Sequence, residues 1–243
     1  MAPETTILFD LPSRSPCTAW SLNPWKTRLL LNYKRVDYKT EWCEYPDIKQ
    51  RLEKHVPANA QGTAYTIPTV MFPDRRYVMD SRKIATVIEE SYPEPSVHLD
   101  SPYLAKLEDI MARLMPQFRP IYLPAIPKRI LSTASQAHWY STREKMVGMP
   151  LDQLEKEKGG ERAWAKVEPL FREVTELLKE DGAGPFFKGR TVSYADFVWA
   201  GFLIFLQCIG PDVYGEFLRR SGDAEAHAKL LEAVRPWSER NNR

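Results

Sequence analysis

Three short segments carry the residue types from which a small-molecule site can be assembled. The first is Ser21-Leu-Asn-Pro-Trp-Lys-Thr-Arg28. Asn23 is a good N-cap residue and Pro24 suits the first helical position, so a helix is expected to open here with unpaired N–H groups and the positive end of its dipole uncovered. An anion or a thiolate would be stabilised at such a point; a plain helix cap is the competing reading. The second segment, Tyr65-Thr-Ile-Pro-Thr-Val-Met71, puts Pro68 at the mouth of an expected strand, where a ladder tolerates a proline. The third is Tyr77-Val-Met-Asp-Ser-Arg82. Here Ser81 can cap the next helix, or its hydroxyl can hold a ligand carboxylate while Asp80 meets an ammonium group.

These segments need elements to position them, and the apolar pattern supplies an order. Ile7 to Phe9 reads as a strand, Pro24 to Tyr33 as a helix and Tyr38 to Trp42 as a second strand. A short helix near Asp47 to His55 follows, then strands at Ile67 to Phe72 and Tyr77 to Met79, the last two forming a hairpin, and a helix from Ser81 to Tyr92. The resulting β-α-β-α-β-β-α unit implies a small sheet with helices on its faces. Residues 1–93 are therefore expected to form one domain and 94–101, with prolines at 93 and 95, a linker. Beyond it, residues 102–243 show apolar spacings of three and four throughout, such as Leu104, Leu107, Met111 and Leu114, and are expected to be all helical. Pro116, Pro120, Pro124 and Pro127 are expected to break one helical stretch into kinked or irregular backbone, either a pocket wall or a core connector. Helix 161–179 is bracketed by Gly159-Gly160 and by Asp181-Gly-Ala-Gly-Pro185.

Composition narrows the partners. The chain has 243 residues, 43% hydrophobic and 27% charged, with 34 Lys+Arg against 32 Asp+Glu and a formal net charge of +2. That balance gives no general drive toward nucleic acid or anionic membrane, and no aromatic platform is interleaved with the basic pairs Arg75-Arg76 and Arg219-Arg220. Cys17, Cys43 and Cys208 are odd in number and far apart, and His55, His98, His138 and His227 have no ligand spacing, so neither a disulfide framework nor a metal site is expected. Residues 1–10 lack the charged and apolar regions of a secretory leader, and the most apolar run, Phe197 to Ile209, is too short for the roughly 20 residues of a membrane span. A cytoplasmic protein is the expectation.

Taken in this order on such a unit, the three segments resemble those of cytosolic glutathione transferases. Asn23-Pro24-Trp25-Lys26-Thr27-Arg28 is similar to that family's Cys/Ser-Pro-aromatic-x-x-Arg stretch, Ile67-Pro68 to its cis-proline, and Asp80-Ser81 to its pair for the glutamyl end of glutathione. Ser193-Tyr-Ala-Asp196 resembles its buried capping box, a folding element in which Ser193 takes an orphan N–H and Asp196 reaches back. The run Trp20-Ser21-Leu-Asn-Pro-Trp-Lys-Thr-Arg-Leu-Leu-Leu-Asn-Tyr33 looks like that of the fungal FuA-type class, relatives of bacterial β-aryl etherases. The resemblance spans nearly the whole chain and implies a thioredoxin-like α/β N-terminal domain, an all-α C-terminal domain and a homodimer.

It also implies a chemistry. Bound glutathione would be kept as a thiolate, the nucleophilic form of a thiol that titrates near 8.5 when free, by hydrogen bonds and a helix dipole. Asn23 or Ser21 would donate to the sulfur; Thr66, Ile67, Pro68, Asp80 and Ser81 would hold the peptide; Trp20, Trp25 and Tyr122 would face a hydrophobic substrate. Members built for thiol–disulfide exchange have cysteine where Asn23 stands, so a mixed disulfide with glutathione at that residue is excluded. The expected function is transfer of glutathione to small hydrophobic electrophiles or hydroperoxides, with binding of aromatic or phenolic ligands. A polyphenol-binding carrier with little turnover and a glutathione-dependent β-aryl etherase are the alternatives.

Overall fold

The computed structural model describes residues 5–240. The α/β part runs β1 (Thr6–Asp10), α1 (Leu22–Tyr33), β2 (Tyr38–Trp42), α2 (Ile48–Leu52), β3 (Thr69–Met71), β4 (Tyr77–Met79) and α3 (Ser81–Ser91). Its sheet has the order β2-β1-β3-β4. β2 lies parallel to β1, with Leu8 opposite Thr40, whereas β3 and β4 run antiparallel, Val70 facing Leu8 on one side and Val78 on the other. The helical part follows as α4 (Pro102–Arg129), α5 (Thr133–Val147), α6 (Leu151–Lys158), α7 (Glu161–Lys179), α8 (Tyr194–Ile209), α9 (Pro211–Arg220) and α10 (Ala224–Ser238). The architecture is thus the expected thioredoxin-like unit followed by an all-helical one.

Three local expectations are corrected. α1 opens at Leu22, so Ser21 and not Asn23 is its N-cap, and Asn23 lies within the first turn. The first intrahelical bond is Trp25 N–H to the Ser21 carbonyl at 3.1 Å, which leaves Pro24 at a position whose missing N–H would have had no partner in any case. α3 is capped by Asp80, whose Oδ1 accepts from the N–H groups of Arg82 and Lys83 at 2.8 and 3.2 Å; Ser81 is its first residue. The third strand is shorter than expected because pairing begins only at Thr69, past the proline.

The four prolines do not interrupt α4, which runs unbroken for 28 residues. At spacings of four, four and three they fall along one stripe, so the lost N–H groups are confined to one side while Leu107, Ile110, Leu114 and Phe118 stay buried on another. One freed acceptor is reused: Pro127 cannot donate to the Leu123 carbonyl, and the indole N–H of Trp139 in α5 does so instead at 3.0 Å.

α8 is the axis of the helical part, with 13 of its 16 residues buried. At its start Asp196 accepts from the backbone N–H and hydroxyl of Ser193, at 2.7 and 2.8 Å, and from the N–H of Phe187 at 2.9 Å. In its middle, Gly201 lets α1 approach closely; a methyl there would lie 3.2 Å from the Leu22 carbonyl oxygen and 3.4 Å from Trp25 Cβ. The segment between α3 and α4 is tied to the same helix by Tyr194 N–H donating to the Val97 carbonyl at 2.7 Å.

A buried histidine joins α7, α8 and α10. The indole of Trp199, which can only donate, gives its N–H to His227 Nδ1 at 3.0 Å. His227 is therefore neutral with its proton on Nε2, which donates to Thr175 Oγ1 at 2.9 Å, and the threonine passes its own proton to the Ser221 carbonyl at 2.6 Å. Burial pushes the His227 pKa down to about 4, whereas burial holds Asp196 up to about 6. Between pH 6.5 and 4 the unfolded chain binds the His227 proton that the native state refuses, so stability from this site falls as the pH falls; Asp196 acts in the opposite sense. Comparing wild type with His227→Gln by urea denaturation isolates the histidine. The stability difference is expected to shrink by about 3 kcal/mol between pH 7 and pH 4, and a difference constant with pH would refute the neutral assignment.

Candidate functional site

Two cavities adjoin at the N-terminal end of α1. One, of about 440 Å³, is bordered by Asn23 and Lys26 from α1, Thr66 to Pro68 before β3, Asp80, Ser81 and Arg82 at the start of α3, and Glu108 and Tyr194 from the helical part. The other, of about 320 Å³, lies between Leu11, Ser21, Asn23, Tyr45, Tyr65 and the α5 residues His138 and Arg143. Asn23, Thr63, Thr66 and Ile67 belong to both walls.

The larger cavity is built from backbone ends. Ile67-Pro68 is a cis peptide, and because the ladder starts at Thr69 the peptide groups of Ile67 take no part in it. Asp80 sits at φ +88°, a conformation L-residues rarely adopt, held there by its N–H bond to the Pro68 carbonyl at 3.3 Å and by its cap. Since Oδ1 serves both cap bonds, Oδ2 is left for a cation. The hydroxyl of Tyr194 donates to the Ser81 carbonyl at 3.0 Å and so fixes the start of α3 against α8. α1 presents its N-terminus with no acidic residue in the first turn, and the Ser21 hydroxyl makes no cap hydrogen bond.

The smaller cavity is walled by rings. Tyr45 N–H donates to Ser135 Oγ at 2.9 Å, and Glu44 accepts from Ser132 at 2.7 Å and from Ser135, which fastens this loop to the start of α5. Tyr45 consequently stacks on His138, centroids 6.2 Å apart at 18°, and meets the edge of Trp139 at 5.3 Å. The Arg143 guanidinium lies 4.5 Å from the Trp139 ring and 5.5 Å from that of Tyr45. Burial pushes the Tyr45 phenol well above its usual range. Burial, and secondarily Arg143, lowers the His138 pKa.

Of the residues expected at a site, Ser21, Asn23, Thr66, Ile67, Pro68, Asp80 and Ser81 all border one or both cavities. Trp20, Trp25 and Tyr122 border neither. Trp20 and Trp25 are each 2% exposed, and Trp20 donates its indole N–H to the Pro12 carbonyl at 3.2 Å. Trp20 and Trp25 are therefore core behind the site, while Tyr122 is half-buried against that core, its ring 5.7 and 5.9 Å from those of Phe118 and Phe205. Residues not foreseen are Lys26, Arg82, Glu108 and Tyr194 in the larger cavity and Tyr45, Lys49, His138 and Arg143 in the smaller. Lys26 could be found from the sequence, standing one helical turn after Asn23; the others come from distant elements with no motif of their own.

Among the described residues no helix is long and apolar enough to cross a membrane, and no group of three His, Cys, Asp or Glu side chains is gathered to hold a metal.

A thioredoxin-like unit whose cis-proline and third helix meet the start of the first, joined to a helical unit that closes the cavity, is the architecture of glutathione-binding transferases. Residues 20–91 match the model of the glutathione S-transferase N-terminal domain and residues 107–237 that of the C-terminal domain. The chain belongs to the glutathione S-transferase family. It is 30% identical to the glutathione S-transferase-like protein ustS of Aspergillus flavus, covering 95% of this chain and 90% of that protein. Among solved structures it is similar to the transferase GSTFuA3 of Phanerochaete chrysosporium, with 29% identity, a TM-score of 0.84 and 98% of each chain covered. It is similar also to the Ceriporiopsis subvermispora transferase CsGST63524, solved in complex with glutathione, with 30% identity, a TM-score of 0.84, and 97% and 98% covered. The resemblance to the FuA-type class thus stands.

Lys26 holds its proton less firmly than an ordinary lysine. Its burial lowers the pKa to about 8, although Glu108 and Asp80 favour the cation. In a ¹³C-lysine NMR titration of the free protein, one resonance, absent in Lys26→Met, is expected to titrate near pH 8; a midpoint near the ordinary value of about 10.4 would show that the cavity wall is solvated.

Proposed function

We propose that the protein binds glutathione in the larger cavity, holds its sulfur as a thiolate at the start of α1, and transfers it to small hydrophobic electrophiles or hydroperoxides in the smaller one. The observation that carries this reading is the shared wall: Asn23 is the one α1 residue bordering both cavities, so a sulfur beside it is reachable from either side. Its amide N–H₂ can donate to the sulfur, and the positive end of α1 favours the charged form. Ser21 borders only the smaller cavity and is assigned the lesser part.

The rest of the peptide has matching partners. The peptide groups of Ile67, outside the ladder, would pair with the cysteinyl backbone, and Thr66 borders the same channel. Asp80 Oδ2 would receive the glutamyl ammonium and the Ser81 hydroxyl with its helix N-terminus the neighbouring carboxylate. Such a site needs no base beyond solvent to release the thiol proton. In the transfer the sulfur forms its bond to the electrophilic atom, and the leaving group departs with the bonding pair.

Calorimetric titration with reduced glutathione on either side of neutrality, about pH 6 and about pH 8, tests the reading. Binding with proton release is expected. Asn23→Ala should raise the pKa of the bound thiol, followed by thiolate absorbance, by about one unit or more, as loss of a hydrogen bond to a charged group implies, and Ser21→Ala by less. No release of a proton would move the reading to a ligand carrier, and phenol release from a model aryl ether would move it to the etherase alternative. Asp80→Asn preserves the cap oxygen but replaces the free carboxylate oxygen, so it should weaken glutathione binding about tenfold or more with little loss of stability. Unchanged affinity would remove Asp80 from the site.

A further inference from the structure

The two cavities differ in charge. The larger mixes Lys26 and Arg82 with Asp80 and Glu108, as a zwitterionic peptide requires, whereas the wall of the smaller, among the described residues, holds no carboxylate at all. Its basic groups are Lys49, His138 and Arg143. Lys49 reaches into solvent, 75% exposed beside Glu53, and His138 is driven toward its neutral form. Arg143 is the fixed charge. It is half-buried and donates to the Thr142 hydroxyl at 3.1 Å, and among the described residues no carboxylate pairs with it. The faces of Trp139 and Tyr45 hold its plane in place.

A guanidinium so placed has donors to spare and an apolar floor, an arrangement suited to a planar carboxylate whose ring lies against Tyr45 and His138. Deepening the transferase reading and resting on it, we propose that the acceptor site selects aromatic electrophiles that bear a carboxylate, and that Arg143 is its specificity-determining residue. The thiolate beside Asn23 attacks the ring carbon that carries the leaving group; a C–S bond forms, the bond to the leaving group breaks, and that group departs with the electron pair. Arg143 touches only the carboxylate and takes no part in the bond exchange.

The test compares 4-chloro-3,5-dinitrobenzoate with neutral 1-chloro-2,4-dinitrobenzene. In Arg143→Gln the ratio of kcat/KM for the anion to that for the neutral compound is expected to fall about tenfold or more, mainly through KM for the anion, and Arg143→Lys should restore part of it. An unchanged ratio overturns the proposal. Equilibrium binding of unreactive 3,5-dinitrobenzoate and 1,3-dinitrobenzene, with glutathione titration as the check of folding, separates this inference from the transferase reading. If the wild type conjugates neither chloride, that reading fails while preferential binding of the benzoate, lost in Arg143→Gln, still supports the anion site. Equal affinities for the two compounds, or equal weakening of both, refute it.

Discussion

The Arg28 guanidinium and the Asp10 carboxylate are both wholly withdrawn from solvent, 2.8 Å apart, and every other contact of the pair extends its hold. Asp10 Oδ1 accepts the N–H of Leu11, the other guanidinium nitrogens reach Tyr38 and Thr40, and the rings of Tyr38 and Trp42 lie against the charge. The pair therefore clamps the middle of α1 to β1 and β2 at once. Five helical steps, roughly 7.5 Å, separate Arg28 from Asn23, so the clamp sets the height of the cavity-forming end of α1 above the sheet. Removing either partner would strand the other charge in the core, a loss of about 3–5 kcal/mol by comparison with buried pairs elsewhere. Gly201 completes the placement from the opposite side by allowing α8 to press on the same turn of α1.

Most of the scaffold was legible because its signals are local. β2 and β4 lie where alternation and turn residues put them, and Asp80-Ser81 and Ile67-Pro68 came to the cavity because a strand end and a helix start impose their position on a neighbour in sequence. The errors are also physical. Asn23 looked like a cap by residue type, yet Ser21 adopts the extended conformation that capping needs, and Pro24 tolerates any place in the first turn. The α4 prolines looked like breaks because helix propensity ignores the packing that holds the helix from outside. Aromatic identity alone could not distinguish Trp20 and Trp25, which are core, from Tyr45, which is wall.

The smaller cavity was illegible for a further reason: it is assembled through relays. A proline in α4 leaves the Leu123 carbonyl without its helical donor; Trp139 supplies one; Arg143 rests on that indole; and Tyr45, stitched to α5 through Ser135, closes the arrangement. The steps mix single helical turns with links between elements, Trp139 to α4 and Tyr45 to α5, and each is a common contact taken singly. Only their sequence in space creates a charged, ring-walled cavity next to the start of α1.

Position 80 exposes a conflict between the needs of the fold and those of the ligand. With φ at +88°, the backbone there suits glycine, and relief of such a conformation is worth about 1–3 kcal/mol, while exchanging a capping aspartate for glycine forfeits only a few tenths. Selection for durability alone would thus favour a glycine in place of Asp80, and under the proposed function it is capture of the peptide's ammonium group that keeps the carboxylate. On that proposal the aspartate is a mark of use: a descendant of this chain that drifted toward a purely carrier or scaffolding life would be free to lose it, and would gain in robustness by doing so.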